Sequence, residues 1–496
     1  MEQRARPTAG VVNQPQLITY VDRLAGDLDG LRGMLTTELA GAFGGVHLLP
    51  FFHPIDGADA GFDPVDHTSV DPRLGSWDAV GTIGADFAVM ADLIVNHVSS
   101  SSPQFLDWQE RGADSPFAGM FLTADRVFPD GATEAELDRI YRPRPGRPFT
   151  TYEIAGEERE VWTTFTRDQV DLDIDDPAAW AYLMTVLDRF AGAGVDLVRL
   201  DAVGYAIKRA GTSCFMIPET FECIGRIAGE ARVRGMSVLV EIHAHHRVQI
   251  DIARQVDRVY DFALPPLVLH ALHTGDALPL RAWLDVAPRN CVTVLDTHDG
   301  IGIVDVAPEG SAAGLVTDDG VVALVESIHE ASEGRSRQAT GAAASNLDLY
   351  QVNCTFYEAL GSDDVAHFLA RLVQVLCPGV PQVYYAGLLA APNDMALLEL
   401  TGVGRDINRP RYDAARMAEA LDRPVVRGTL GLLRWRSANH ELFDGTFELL
   451  DGAANELTLR WSHGDRRLDA TIDVATRTFR VVLDGRVWVE PAEFGA

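Results

Sequence analysis

Several apolar runs in this sequence end in an acidic residue, a setting in which a carboxylate is costly unless it is paired or put to chemical use. In RLDAVGY (199–205), Asp201 follows Arg199 by two positions, so the two side chains share one face of an extended strand. That pattern fits a buried ion pair fixing a loop as well as it fits a nucleophile held beside a cation. In VEIHAHH (240–246), Glu241 ends another apolar run, a setting that suits a general acid and also an ordinary solvated strand end. In LDTHDG (295–300), His298 and Asp299 close a third run, although Asp-Gly is also a common turn pair. In LIVNH (93–97), Asn96 and His97 end a fourth, where a lone histidine is more often structural than catalytic. Each motif is weak alone. Together they place three carboxylates at the mouths of buried strands, the set that glycosyl transfer with retention requires. One carboxylate attacks the anomeric carbon, a second about 5–5.5 Å away protonates the leaving oxygen, and a third stabilises developing positive charge. His243, His245 and His246 raise the question of a metal ion. Alternate positions on one strand are only part of a metal motif, and no HExxH accompanies them. His243 is therefore read as facing a pocket, the other two as loop residues, and no metal ligands are assigned.

These residues need a frame that brings them together. Eight short apolar runs occur: QLITYVD (16–22), GGVHLLPFF (44–52), FAVMADLIVNH (87–97), VDLVRLDAV (195–203), MSVLVEIHA (236–244), VDRVYDFALPP (256–266), CVTVLDTHDG (291–300) and VPQVYYAG (380–387). Continuous apolar runs of this length suit parallel strands buried on both faces. Helical patterns lie between several of them, over 28–43, 177–191, 218–234 and 363–376. Asp176 before Pro177 reads as an N-cap followed by proline in the first turn. Eight strands alternating with helices predict an α/β fold, a (β/α)8 TIM barrel, whose active site sits at the C-terminal ends of the strands. The spacing is uneven. Residues 1–97 read as the first part of the barrel, 98–175 as a subdomain inserted after strand three, and 176–300 as the middle part. A second insert is expected over 301–361, with GAAASNLDLYQVN (341–353) as a loop of small residues, and the last barrel part over 362–440. Over 441–496, ELTLRW, LDATIDV, FRVVLDG and VWVEP alternate apolar and polar residues, which predicts an antiparallel β domain with one solvated face.

Composition narrows the function. The chain has 496 residues and a net charge of −30, from 42 basic and 72 acidic side chains. Such a surface repels nucleic acid and anionic membranes, and it repels phosphate too, so any anion site must be a local pocket built with arginine. Lys208 is the only lysine. Cys214, Cys223, Cys291, Cys354 and Cys377 are widely spaced, which suggests buried thiols rather than disulfides or zinc ligands. No apolar run is long enough to cross a membrane and the N-terminal residues lack a hydrophobic signal segment, so the expected location is cytoplasmic.

DLIVNH, VRLDAVGY, VEIH and LDTHDG resemble, in order, the four signature regions of the α-amylase clan of retaining glycosidases. Longer stretches are similar to the sucrose phosphorylase branch of that clan: PFFHPIDGADAGFDPVDHTSVDPRLGSWDAV, IYRPRPGRPF, RLDAVGYAIKRAGTSCF, RVYDFALPPL, GAAASNLDLYQVN and GRDINR. The resemblance covers nearly the whole chain. It implies Asp201 as nucleophile, Glu241 as acid/base and Asp299 as transition-state stabiliser. It implies that Asp59 and Arg405 hold the far hydroxyls of a glucosyl unit, that His97, Arg199 and His298 serve near the reacting carbon, and that Phe62 and Phe165 offer apolar rings. Tyr205, Phe215, Asp348 and Gln351 would line the acceptor side, and Arg144 and Tyr350 would meet phosphate. The implied partners are sucrose, inorganic phosphate, glucose 1-phosphate and fructose, with a homodimer as family precedent and neither metal nor organic cofactor. Two departures from the branch, Ile242 and the run His245-His246-Arg247, bear on acceptor preference. Sister phosphorylases of sucrose 6′-phosphate, glucosylglycerol or glucosylglycerate, clan hydrolases or transglucosidases, and a catalytically dead sugar-binding protein are the competing readings.

Overall fold

A computed structural model describes residues 12–57, 59–142, 146–340 and 350–495. All eight apolar runs form strands: β1 Gln16–Thr19, β2 Gly45–Leu48, β3 Ala88–Ile94, β4 Leu197–Asp201, β5 Ser237–Val240, β6 Arg258–Asp261, β7 Cys291–Thr293 and β8 Val380–Tyr384. They pair in parallel, in chain order, and β8 closes on β1. The expected (β/α)8 barrel is therefore present. Its outer faces are covered by helices, so hydrophobic side chains fill both sides of the strands.

The helices begin where the chain offers caps. Asp176 accepts a hydrogen bond from the Ala178 amide, with Pro177 opening the helix Pro177–Gly192. Asp27 caps Leu28–Thr36 through the Gly30 amide. That helix is shorter than its periodicity predicts: the hydroxyls of Thr36 and Thr37 turn back onto the Gly33 carbonyl, and Gly41 takes a left-handed φ of +75°. The remaining predicted helices occupy Pro218–Val233 and Asp364–Leu376.

The barrel interior is more polar than the apolar runs suggest. Gln16, His47, Asp92, Arg199, Tyr260 and Gln382 are all buried there. Arg199 pairs in register with Asp92 across β4 and β3, and its Nη1 donates to Asp92 Oδ1 at 2.5 Å and to Asp201 Oδ1 at 2.8 Å. His47 Nε2 lies 2.9 Å from the other Asp92 oxygen. Each buried charge is thus paired, as burial demands.

Between β3 and β4, His97–Ser99 pairs antiparallel with Gln169–Asp171, and Phe149–Ile154 pairs with Glu157–Trp162. Near the C-terminus an antiparallel sheet runs β9 Thr446–Leu450, β10 Glu456–His463, β11 Arg466–Asp473, β12 Thr478–Leu483 and β13 Arg486–Trp488. Its alternating buried and half-exposed residues match the predicted one-sided sheet, and Trp461 Nε1 donates to the Leu376 carbonyl at 2.8 Å, tying it to a barrel helix. All five cysteines are buried and free. Among the described residues, no helix is long and apolar enough to cross a membrane.

Candidate active site

A cavity of about 600 Å³ opens at the C-terminal ends of the strands. Asp59, Phe62, His97, Phe165, Asp201, Tyr205, Glu241, His243, His298, Asp299, Tyr350, Gln351 and Arg405 line it, together with Gln169 and Ala202. Most of the residues singled out from the sequence therefore converge. Arg199 does not line the cavity but lies behind Asp201. Phe215 also stands back, packed on Tyr205 with ring centroids 4.7 Å apart. Arg144 and Asp348 lie outside the described residues.

Local backbone geometry aims the carboxylates. Asp201 is the last residue of β4, and Ala202 after it adopts a left-handed φ of +52°. That conformation costs a non-glycine residue about 1–2 kcal/mol. It turns the Ala202 amide toward Glu241, whose Oε2 lies 3.3 Å from the nitrogen. Glu241 directly follows β5. Asp299 lies six residues beyond β7 on a loop held from below: Asn408 Nδ2 donates to the Asp299 carbonyl at 2.7 Å, and Arg409 Nε to the His298 carbonyl at 2.9 Å.

Two arginines divide the negative charge. Arg405 Nη1 lies 2.7 Å from Asp299 Oδ1 and 3.8 Å from Asp59 Oδ2. Burial pushes the Asp299 carboxyl up, but Arg405 above all, with His298 and Arg199, outweighs it and holds the group far below the usual carboxylate range. Asp201 behaves oppositely. Burial raises its pKa well above the ordinary value; Arg199 opposes this, while Glu241, Asp92 and Asp299 reinforce it. Burial and the two arginines thus push Asp201 and Asp299 in opposite directions on one cavity wall.

The sugar-sized floor is aromatic. The His298 ring stacks on Phe62 at 4.5 Å with 8° between planes, and the Arg199 guanidinium lies 5.6 Å from the Phe62 ring centroid. Burial pushes His298 down to about 3, so it is neutral at neutral pH. His97 is lowered as well, chiefly by burial; its Nε2 sits 2.9 Å from the Phe62 carbonyl oxygen and 3.1 Å from Gln169 Nε2. Two neutral histidines can donate or accept toward hydroxyl groups without adding charge.

One donor atom from each of Glu241, His243 and Asp299 falls within 4.8 Å of the others, a spacing compatible with a metal ion. Arg405 already neutralises Asp299 and so competes for that carboxylate, while Asp305 holds the His243 Nδ1 at 2.9 Å. His245 caps the helix His246–Ala253 and its Nε2 faces the Ala313 carbonyl, so neither it nor His246, within that helix, reaches the cavity. Ile242 is buried away from it too. The departures seen in the sequence therefore do not touch the cavity wall.

Sequence reasoning missed Gln169, Asp92, Asp171 and Asp305. Asp92 carried a signal: a lone acid inside an apolar strand two positions from Met90, facing the same side. Gln169 carried none, because only the long-range antiparallel pairing of Gln169–Asp171 with His97–Ser99 brings it to the cavity.

The alpha-amylase catalytic domain family matches residues 13–241. The chain is 56% identical over 453 residues to a sucrose phosphorylase of Agrobacterium vitis, covering 91% of this chain and 93% of that protein. It is 52% identical over 453 residues to a sucrose phosphorylase of Bifidobacterium adolescentis, covering 90% of each. The crystal structure of sucrose 6F-phosphate phosphorylase from Thermoanaerobacter thermosaccharolyticum superposes with a TM-score of 0.89 at 34% identity, covering 99% of this chain and all of that one. With over half of its aligned positions shared with two such enzymes along nearly their full lengths, the chain belongs to the sucrose phosphorylase family of α-amylase-type enzymes.

Proposed function

We propose that the protein is a sucrose phosphorylase, which reversibly transfers the glucosyl unit of sucrose to inorganic phosphate and yields α-D-glucose 1-phosphate and D-fructose. The observation that carries this reading is the convergence of Asp201, Glu241 and Asp299 on one cavity, with Arg405 joining Asp299 to Asp59. In the first step an Asp201 oxygen attacks the anomeric carbon. The bond to the fructosyl oxygen breaks, and Glu241 gives that oxygen its proton. A β-glucosyl ester on Asp201 results. In the second step a phosphate oxygen attacks the same carbon from the face fructose left, Glu241 takes up the phosphate proton, and Asp201 departs as a carboxylate. Two inversions give net retention.

Proton placement follows from the charges. Asp299 is held ionised by Arg405 and serves to stabilise positive charge at the sugar ring. The reaction needs Asp201 as the anion and the proton on Glu241. Arg199 at 2.8 Å favours the form in which Asp201 is the anion, and bound sucrose selects it by offering Glu241 a glycosidic oxygen. Asp59 and Arg405 hold the far hydroxyls, His97 and His298 those near the reacting carbon, and Phe62 and Phe165 the apolar face of the ring. Tyr205, backed by Phe215, serves the acceptor side with Asp348 and Gln351, and Arg144 and Tyr350 meet phosphate, Arg144 supplying charge that a surface of net charge −30 lacks. The reading carries a cytoplasmic location and a homodimer as further expectations.

The test is direct. Sucrose and phosphate are mixed with the protein, and glucose 1-phosphate and fructose are quantified. Equimolar products that depend on phosphate are expected. Glucose release at full rate without phosphate would instead make the protein a hydrolase, and inertness toward sucrose but turnover of glucosylglycerol or sucrose 6′-phosphate would make it a sister phosphorylase.

A further inference from the structure

Behind Glu241 lies a second acid that the reaction above does not use. Asp305 follows the short strand Ile301–Gly302 and is fully buried. Three donors converge on its carboxylate: Gln249 Nε2 at 2.8 Å and the Ala244 amide at 3.3 Å on Oδ1, and His243 Nδ1 at 2.9 Å on Oδ2. The His243 ring is clamped flat against Phe262, centroids 3.9 Å apart and planes 17° apart, with the Tyr350 ring edge-on at 6.1 Å. A methyl group on Gly302 would lie 2.4 Å from Asp305 Oδ2 and 2.9 Å from His243 Nδ1, so glycine is what lets the pair close. The other ring nitrogen, His243 Nε2, is buried, has no hydrogen-bond partner among the described residues and lies 3.8 Å from Glu241 Oε1 on the cavity wall.

We infer that Asp305 is a positioning residue that fixes His243 as a cationic hydrogen-bond donor beside Glu241, and so selects an anionic acceptor for the second half of the reaction. The inference rests on the phosphorylase reading above. Its chemistry is a matter of tautomers. A neutral imidazole that donates Nδ1–H to Asp305 presents only a lone pair at Nε2. Only the imidazolium can donate from Nε2 to an incoming oxygen while keeping its bond to Asp305. Burial works against that charge, but Asp305 outweighs it, with Glu241 and Asp299 adding to the same effect. Arg405 is committed to Asp299 at 2.7 Å. Phosphate must approach a Glu241 that has just lost its proton to fructose. Two anions meeting in a buried cavity repel strongly unless a cation stands between them. A neutral acceptor such as water or an alcohol makes no such demand.

The test uses the full-length chain carrying Asp305→Asn, which keeps the shape and removes the charge. Glucose 1-phosphate formation is measured against phosphate concentration, and sucrose turnover with water or a neutral alcohol is measured separately without phosphate. The expected result is a rise in KM for phosphate of about tenfold, the scale of one charged hydrogen bond, with phosphate-free turnover within about twofold. The pH above which KM for phosphate climbs should also move down in the variant. A wild-type KM for phosphate, or an equal loss of both activities, would overturn the inference. Nitrogen NMR of histidine-labelled unsubstituted protein, with His243→Gln identifying the signal, gives a readout independent of how the variant folds. Both ring nitrogens protonated where KM for phosphate is lowest is expected; a neutral ring there sinks the idea. If the unsubstituted protein makes no glucose 1-phosphate, the phosphorylase reading falls first, and this inference with it.

Discussion

Asp201 stands between opposed influences, and its chemistry depends on which prevails. Burial and three neighbouring carboxylates favour its neutral form, while Arg199 favours the anion that can attack carbon. Replacing Asp201 with alanine removes the attacking oxygen while leaving the cavity walls in place. Sucrose turnover should fall by about 10⁴-fold or more, the loss typical when a nucleophile is deleted. Unchanged turnover would reassign the role. With Asp201 as the proposed nucleophile and Glu241 as the proposed acid, the pH dependence of kcat/KM should be bell-shaped. On the acid side both groups are protonated and the nucleophile is lost; on the alkaline side both are ionised and the acid is lost. Since burial moves Asp201 upward, the acid limb should lie above the ordinary carboxylate range. A profile flat from pH 4 upward, read from initial rates, would contradict that placement.

At the level of elements, the site depends on a joint between β4 and the two-stranded sheet of His97–Ser99 and Gln169–Asp171. The only lysine, Lys208, sits beyond β4 with its side chain buried. Its Nζ lies 2.5 Å from Asp171 Oδ2 and 2.6 Å from Asn96 Oδ1. Asp171 in turn pairs in register with His97 in the two-stranded sheet and accepts from the Thr164 amide and hydroxyl, so one ammonium ties the cavity wall carrying His97, Phe165 and Gln169 to the segment after β4. Lys208→Met keeps much of the volume and strands the Asp171 charge. Breaking a buried pair in this way costs about 3–5 kcal/mol. A marked fall in thermal midpoint and in sucrose turnover is expected; a melting curve indistinguishable from wild type would show that the ion pair is not what secures the joint.

For the whole molecule, the relevant charges are the ones kept out of water. Buried His67 is pushed down to about 4, and His298 and His367 each to about 3, chiefly by burial. Once unfolded, each returns to an ordinary value near 6.5. Between these values each ring is protonated in the unfolded chain and neutral in the folded one, so the stability these three contribute is present above about pH 6.5 and lost as pH falls, while Asp201 and Asp261, which burial raises, the latter to about 7, act in the opposite direction. Histidine NMR of the folded protein between pH 7.5 and 5 should therefore show these three rings staying neutral, whereas protonation of any of them near pH 6.5 would mean that burial does not hold it. The surface works in the same direction for ligands: with a net charge of −30, phosphate capture has to be local, inside the cavity.

The barrel and the acidic rim of its cavity were legible because both depend on short-range order. Buried parallel strands need continuous apolar runs, and an apolar run that ends in Asp201, Glu241 or His97 delivers that residue to the C-terminal mouth whatever its neighbours are. The alternation of ELTLRW and LDATIDV likewise declares a one-sided sheet by itself. What the linear order could not supply is partnership. Arg199 meets Asp92 across 107 positions, Lys208 meets Asn96 across 112, and His243 meets Asp305 across 62. Residue type and strand parity say which face a side chain takes, not which distant charge waits there. Only closing the barrel decides that Asp299 is the anion Arg405 holds, that Asp201 is the one burial pushes toward its proton, and that Phe215 stands behind the wall instead of in it. Electrostatic energies depend on separation in space, and that quantity exists only once the chain has folded.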